Sequence, residues 1–115
     1  MTTTQPPPRD LKLLQKQKVL EITFDSGDVY RLPCEYLRIF SPSAEAREQG
    51  KPKIHSDKKD VNIIGVDPVG HYAVKFIFDD GHSTGIYSWE TLYDLAIHQE
   101  KYWQDYLNRR DHNDK

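Results

Sequence analysis

Apolar and polar positions alternate in short runs over much of this chain, and one arrangement of them occurs twice. The stretches "EITFDSGDVYRLPCEYL" (21 to 37) and "KFIFDDGHSTGIYSWETL" (75 to 92) share a plan. Each reads as a strand ending in Phe, an Asp-x-Gly turn, a second strand and the start of a helix. Gly27 and Gly81 suit the left-handed position that closes a type I turn, which predicts two hairpins with a G1 bulge. Pro33 fits the first turn of one helix, and Ser88 is a good N-cap for the other. The two hairpin-plus-helix units differ by a one-residue slip. Leu11 to Gln17 predicts a further edge strand pairing with 18 to 24. "DVNIIGVDPVGHYAVKFIF" (60 to 78) predicts two more strands about a type I turn at Asp67-Pro68-Val69-Gly70. In the second of these, Tyr72, Val74, Phe76 and Phe78 share one face, expected to lie against the core.

The longest helix is predicted from Trp89 to Arg109. Leu92, Leu95, Ala96, Gln99, Trp103, Tyr106 and Leu107 follow helical spacing. Glu90 sits at its positive end, with Arg109 and Arg110 at the negative end. The expected fold class is therefore α+β: a mostly antiparallel sheet built from two hairpin-plus-helix repeats, with a long C-terminal helix packed on it. Residues 1 to 10, with three consecutive prolines, read as a disordered arm. Residues 11 to 110 read as one domain, and 111 to 115 as a frayed tail.

Composition narrows the class. A chain of 115 residues suits a single core without metal or disulfide staples. The formal net charge is −2 with both signs interspersed, which argues against nucleic acid as the partner. Cys34 is the only cysteine, so no internal disulfide forms, as suits a reducing cytoplasm. The N-terminal residues lack the pattern of a signal peptide, and no apolar stretch has the length to cross a bilayer. The expectation is a soluble cytoplasmic protein, monomeric or weakly self-associating.

Candidate chemistry is sparse. His55, His71, His82, His98 and His112 have neither the spacing of a helical metal site nor that of a zinc finger. His71, His98 and His112 are expected at the surface. His82 follows Asp79-Asp80-Gly81, where an acid–base pair and simple capping of the turn by Asp both remain open. Cys34, beside Pro33 in apolar surroundings, reads as a buried structural thiol. No Gly-x-Ser-x-Gly elbow and no glycine-rich phosphate loop occurs. The connection from Ser41 to Asp60 is long and carries Lys51, Lys53, Lys58 and Lys59, either a weak anionic partner site or a solvated loop. Tyr102 and Trp103 offer either core packing or an exposed aromatic patch for a partner.

"FDSGDVYRLPCEYLRIFSPSAEAREQG" followed by "DVNIIGVDPVGHYAVKFIFDDGHSTGIYSWETLYDL" resembles the gamma-butyrobetaine hydroxylase-like N-terminal domain family, over roughly residues 12 to 108. The most specific pieces are Leu37-Arg38 with Ser41-Pro42-Ser43-Ala44-Glu45, and Asp80-Gly81-His82 with Tyr87-Ser88-Trp89. In the carnitine-pathway dioxygenases of that family, the domain holds a structural zinc through three cysteines and a histidine. By this resemblance the cysteine positions fall on Ser41, Ser43 and on or near Ala46, and the histidine on His82. Only the histidine is retained. Zinc needs thiolates or imidazoles, and a neutral hydroxyl is a poor substitute. The resemblance thus implies a stand-alone, bacterial-type member with a degenerate zinc site and no cofactor. In place of the metal, Ser41 is expected to cap a turn through Ala44 or Glu45, and His82 to bond a hydroxyl or the Glu45 carboxylate. Relatives of this domain are fused to dioxygenases and to P-loop iron–sulfur cluster carriers. The implied function is a non-enzymatic interaction or accessory module with a protein partner, linked to iron–sulfur protein maturation or to an oxygenase. The alternatives are a metal-binding protein using His82 with Asp79, Asp80 or Glu45, and a small enzyme using the same cluster.

Overall fold

A computed structural model of the chain describes residues 6–42, 47–48, 51–52, 60–83 and 85–113. It has an α+β fold. Strands β1 (Asp10–Leu14), β2 (Val19–Thr23) and β3 (Val29–Pro33) form an antiparallel meander in that order. Helix α1 (Cys34–Ile39) follows, with Pro33 as its N-cap. A two-residue pairing of β4 (Arg47–Glu48) with β5 (Lys51–Pro52) lies within the long connection expected to be irregular. Then β6 (Ile63–Val69), β7 (Ala73–Phe78) and β8 (Ile86–Ser88) form a second antiparallel sheet. Helices α2 (Trp89–Ile97) and α3 (Gln99–Asn113) close the chain. The strands expected in one sheet thus divide into two of three strands each. The turn that joins β1 to β2 bridges them: Gln15 Nε2 donates to the Ile63 carbonyl at 3.3 Å, and Asn62 Nδ2 donates to the Gln15 carbonyl at 3.0 Å.

The repeated turn has the same backbone in both units. Phe24 N–H donates to the Asp28 carbonyl and Phe78 N–H to the His82 carbonyl, at 2.9 and 3.0 Å. Gly27 and Gly81 donate back to Phe24 and Phe78, with φ of +95° and +93°. Both glycines occupy a conformation in which a Cβ is strained. Ser88 caps α2 as its sequence predicts, accepting from Thr91 N–H at 3.1 Å.

The core faces of the two sheets meet the helices. Leu20, Ile22 and Leu32 from the first sheet, Ile63, Phe76, Phe78 and Tyr87 from the second, and Tyr36, Leu37 and Ile39 of α1 are essentially inaccessible to solvent. Each of the leucines, isoleucines and phenylalanines among them contributes about 1.5–3 kcal/mol relative to exposure. From the C-terminal helices, Leu92, Leu95, Ala96 and Tyr106 join the same cluster. Two buried tyrosines satisfy their hydroxyls on helical carbonyls: Tyr36 on Leu95 at 2.7 Å, and Tyr87 on Leu37.

Three expectations are corrected. The turn placed at Asp67–Gly70 lies further on, at Gly70-His71-Tyr72, because β6 pairs through Pro68 (opposite Val74) to Val69 (opposite Ala73). Strand β6 is an edge of its sheet, where a proline costs no ladder donor. Tyr72, expected on the core face, falls in that turn and is 61% exposed, while Val74, Phe76 and Phe78 are buried. The single helix from Trp89 to Arg109 is interrupted at His98, and α3 continues past Arg109 to Asn113. At the break the His98 Nδ1 folds back to within 3.2 Å of the Asp94 carbonyl and 3.0 Å of its carboxylate, a side-chain intrusion of the kind that kinks helices.

Candidate functional site

The end of α1 and the second Asp-x-Gly turn meet in the interior. Ser41 follows Phe40, the C-cap of α1, and its own N–H donates to the Arg38 carbonyl at 3.4 Å. Its hydroxyl lies 2.9 Å from His82 Nε2, and both residues are buried. The bulge at Gly81 aims the imidazole inward, and the His82 ring packs beside Phe78 with centroids 6.0 Å apart. Gly85 completes the wall. A Cβ built there would overlap the Ser41 Oγ, so the chain passes the hydroxyl only because residue 85 has no side chain.

The neighbouring carboxylates have other duties. Asp80 accepts from the His82 backbone N–H at 3.1 Å and from Arg38 Nε at 2.8 Å. Asp79 accepts from Asn62 N–H at 3.1 Å, tying the turn to the start of β6. The two acids cap and anchor the turn, which is the plainer of the two readings its sequence left open. Arg38 brings a guanidinium into the interior with its side chain only 10% exposed, and its Nη1 has no hydrogen-bond partner among the described residues.

A serine and an imidazole at hydrogen-bond distance could in principle act as a nucleophile and its base. Among the described residues, however, Ser41 is wholly buried and its hydroxyl is backed by Gly85. The pair also does not fit zinc. A neutral hydroxyl is a poor donor for that ion, and the imidazole nitrogen facing the site is already engaged by Ser41. Among the described residues no group of three or more His, Cys, Asp or Glu side chains could hold a metal ion. Of the bonds its sequence suggested for His82, the one to a hydroxyl is present. Ser43, Ala44, Glu45, Ala46, His55, Lys53, Lys58 and Lys59 lie outside the described residues, and Lys51 is described only as backbone of β5.

A second cluster lies where α2 meets α3. Tyr102 donates to the Asp94 carboxylate at 2.9 to 3.0 Å, stacks on Phe40 with centroids 6.0 Å apart, and is half-buried. Burial pushes its phenol pKa upward, and the bond to the Asp94 carboxylate and that group's charge push the same way. Trp103 is half-buried against Tyr36 and Tyr106 and belongs to the core edge. His71 and His98 are exposed. Cys34 is buried with its thiol 3.5 Å from Asn62 Oδ1, and burial raises its pKa, as for a structural thiol. Sequence reasoning gave Arg38 no role beyond the family motif, and it missed Gly85 and Asp94. The first had a visible signal, a lone cation inside the apolar run "EYLRIF".

The family model described as gamma-butyrobetaine hydroxylase-like, N-terminal, matches residues 11–93. Two proteins solved by NMR in solution share the fold with TM-scores of 0.83. One is 49% identical, with 100% of this chain and 89% of that chain covered; the other is 38% identical, with 96% and 89% covered. A crystal structure at 1.93 Å of a protein with unknown function, of the DUF971 family from Acidithiobacillus ferrooxidans ATCC 23270, matches with a TM-score of 0.67. It is 38% identical, with 77% of this chain and 91% of that chain covered. No curated protein matches the chain.

Proposed function

We propose a function from one premise: the chain belongs to the gamma-butyrobetaine hydroxylase-like N-terminal family. It is a non-enzymatic interaction or accessory module, in which a serine–histidine hydrogen bond does the cross-linking that a metal could do elsewhere. The observation that carries this reading is the buried contact between Ser41 Oγ and His82 Nε2, 2.9 Å long and walled by Gly85. A site closed in this way serves stability, and function moves to the surface. The partner is a protein. A small negative net charge supports neither a nucleic-acid nor a phosphate-rich partner. Assistance to iron–sulfur protein maturation or to an oxygenase is the finer form of this reading, supported by the family resemblance alone. No helix among the described residues is long and apolar enough to cross a membrane, and a reduced, buried Cys34 suits the cytoplasm.

Elemental analysis and thermal melting test it together. Protein purified without added metal is expected to carry no stoichiometric zinc and to melt at one temperature with or without a chelator. One zinc per chain, or a melting temperature lowered by the chelator, supports the metal-binding alternative instead.

A further inference from the structure

We propose that the groove between the Gly70–Tyr72 turn and the start of α2 binds a proline-rich segment carrying a basic residue, and that the chain's own Pro6-Pro7 competes for it. The groove encloses about 480 Å3, and Pro6, Pro7, Tyr72, Trp89 and Glu90 are among its lining residues. Its aromatic walls are held in place, Tyr72 facing solvent and Trp89 half-buried against the core. The Trp89 indole N–H donates to the His71 carbonyl at 2.8 Å, and Trp89 N–H donates to the Tyr72 carbonyl at 3.2 Å. The Tyr72 ring lies over Gly70, where a Cβ would stand 3.0 Å from Cε1. Tyr72 is 61% exposed, the most exposed large hydrophobic side chain among the described residues.

Fixed, exposed aromatic rings are what a polyproline II segment recognises. Its prolines are already extended, lose little entropy on docking, and pack their rings flat on aromatic faces. The chain supplies its own instance. Pro6 and Pro7 reach this groove, yet both remain exposed, and the arm is pinned further on by Arg9 N–H on the Thr23 carbonyl at 2.7 Å. They line one side of the groove opposite its aromatic residues and leave its space open to an incoming segment. Glu90 is exposed and sets a negative charge at the groove, so a lysine or arginine flanking the incoming prolines is favoured. In the chain itself Arg9 follows the prolines, but it turns to Asp25, 3.8 Å away at the surface. An external segment with a free basic residue has that contact available.

This inference rests on the interaction-module reading and names its surface. The test uses the full chain and a synthetic peptide of consecutive prolines ending in arginine, followed by the indole N–H resonance of Trp89. A saturable shift is expected in the natural chain. Binding should be about tenfold tighter in the Pro6→Ser/Pro7→Ser variant, because a tethered competitor has been removed. Tyr72→Ser, a substitution at an exposed position, should weaken binding by about tenfold, or roughly 1.4 kcal/mol. Glu90→Lys should weaken the arginine-bearing peptide and leave an all-proline peptide unchanged. No saturable shift in the Pro6→Ser/Pro7→Ser variant, or binding indifferent to Tyr72→Ser, overturns the proposal. Melting sensitive to a chelator would instead remove the module reading without affecting peptide binding, so the two failures are distinguishable.

Discussion

The Ser41–His82 contact can be weighed by a double-mutant cycle of Ser41→Ala, His82→Ala and the pair. The hydrogen bond is 2.9 Å long and both residues are buried, so either single substitution removes a buried hydrogen bond. Such a loss costs about 1–2 kcal/mol. The Ser41→Ala side keeps Cβ beside Gly85 and adds no atom, which makes it the cleaner of the two. His82→Ala is expected to lose about 1 to 2 kcal/mol, chiefly the bond. The double variant loses that bond only once, so its destabilisation should fall short of the sum of the singles by about 1 to 2 kcal/mol. Urea unfolding followed by circular dichroism reads these values directly, provided the slope of the transition stays constant. A metal centre behaves differently. A structural zinc binds with about 10 kcal/mol or more in total, comparable with the whole stability of a domain, about 5–15 kcal/mol, and losing a ligand forfeits a large share of it. A single variant that is wholly unfolded would refute the hydrogen-bond account, and so would zero coupling between the two positions.

The same unfolding assay checks three further outcomes. Gly85→Ala is expected to cost about 1–3 kcal/mol, since the new methyl must push Ser41 off His82; in a Ser41→Gly background the same change should cost less, with Pro42 Cδ at 3.3 Å the remaining near contact, and an equal cost in both backgrounds contradicts the overlap. Asp80→Asn should cost about 2 kcal/mol, because it weakens the acceptor for the interior Arg38 guanidinium at 2.8 Å; a neutral result would show that the ion pair contributes nothing. Tyr36 has its pKa raised above the ordinary 10.0, first by burial and then by Tyr102 and Asp94, so the folded state holds its proton longer than the unfolded chain. Stability from this group is therefore complete below pH 10.0 and falls as pH rises beyond it; Tyr36→Phe should flatten that alkaline decline, and an unchanged slope counts against it.

What was legible in the sequence follows a physical division. The Phe-Asp-x-Gly turns were legible because a left-handed residue is a local demand that only a few side chains meet, and glycine marks it. The cap at Ser88 was legible for the same reason. The turn after β6 was misplaced because Pro68 suits the second position of a type I turn and also an edge strand, and only the sheet order decides between them. Tyr72 followed its alternating pattern in sequence but sits beyond the end of the strand, where alternation no longer governs direction. The helix break at His98 involves neither proline nor glycine; it comes from a histidine meeting an aspartate one turn earlier, a pairing equally compatible with an unbroken helix. Within the candidate site, His82 was singled out by the carboxylates beside it and, with Ser41, by resemblance, while Gly85 was not, because a close approach between distant segments leaves no mark on the residues around it.

The two turns show how one backbone can serve two ends. In both, the residue after glycine supplies the carbonyl that closes the hairpin, whatever its side chain. In the first unit that residue is Asp28, whose carboxylate accepts from Ser26 Oγ at 3.0 Å in an exposed contact two positions away. In the second it is His82, which reaches Ser41, 41 residues earlier in the chain. A bond within the turn adds little to the cost of unfolding, because the turn forms locally in any case. A bond across that separation couples the end of α1 to the turn after β7, and breaking it loosens both. The histidine is therefore one of the positions that tie the second repeat to the first, beside the Arg38–Asp80 and Tyr87–Leu37 contacts. By the same reasoning, exchanging the two side chains, Asp28→His with His82→Asp, should preserve both turns yet loosen Ser41 and the end of α1. Faster amide exchange at residues 37 to 41, with the Gly27 and Gly81 amides still protected, is the outcome that this dependence requires.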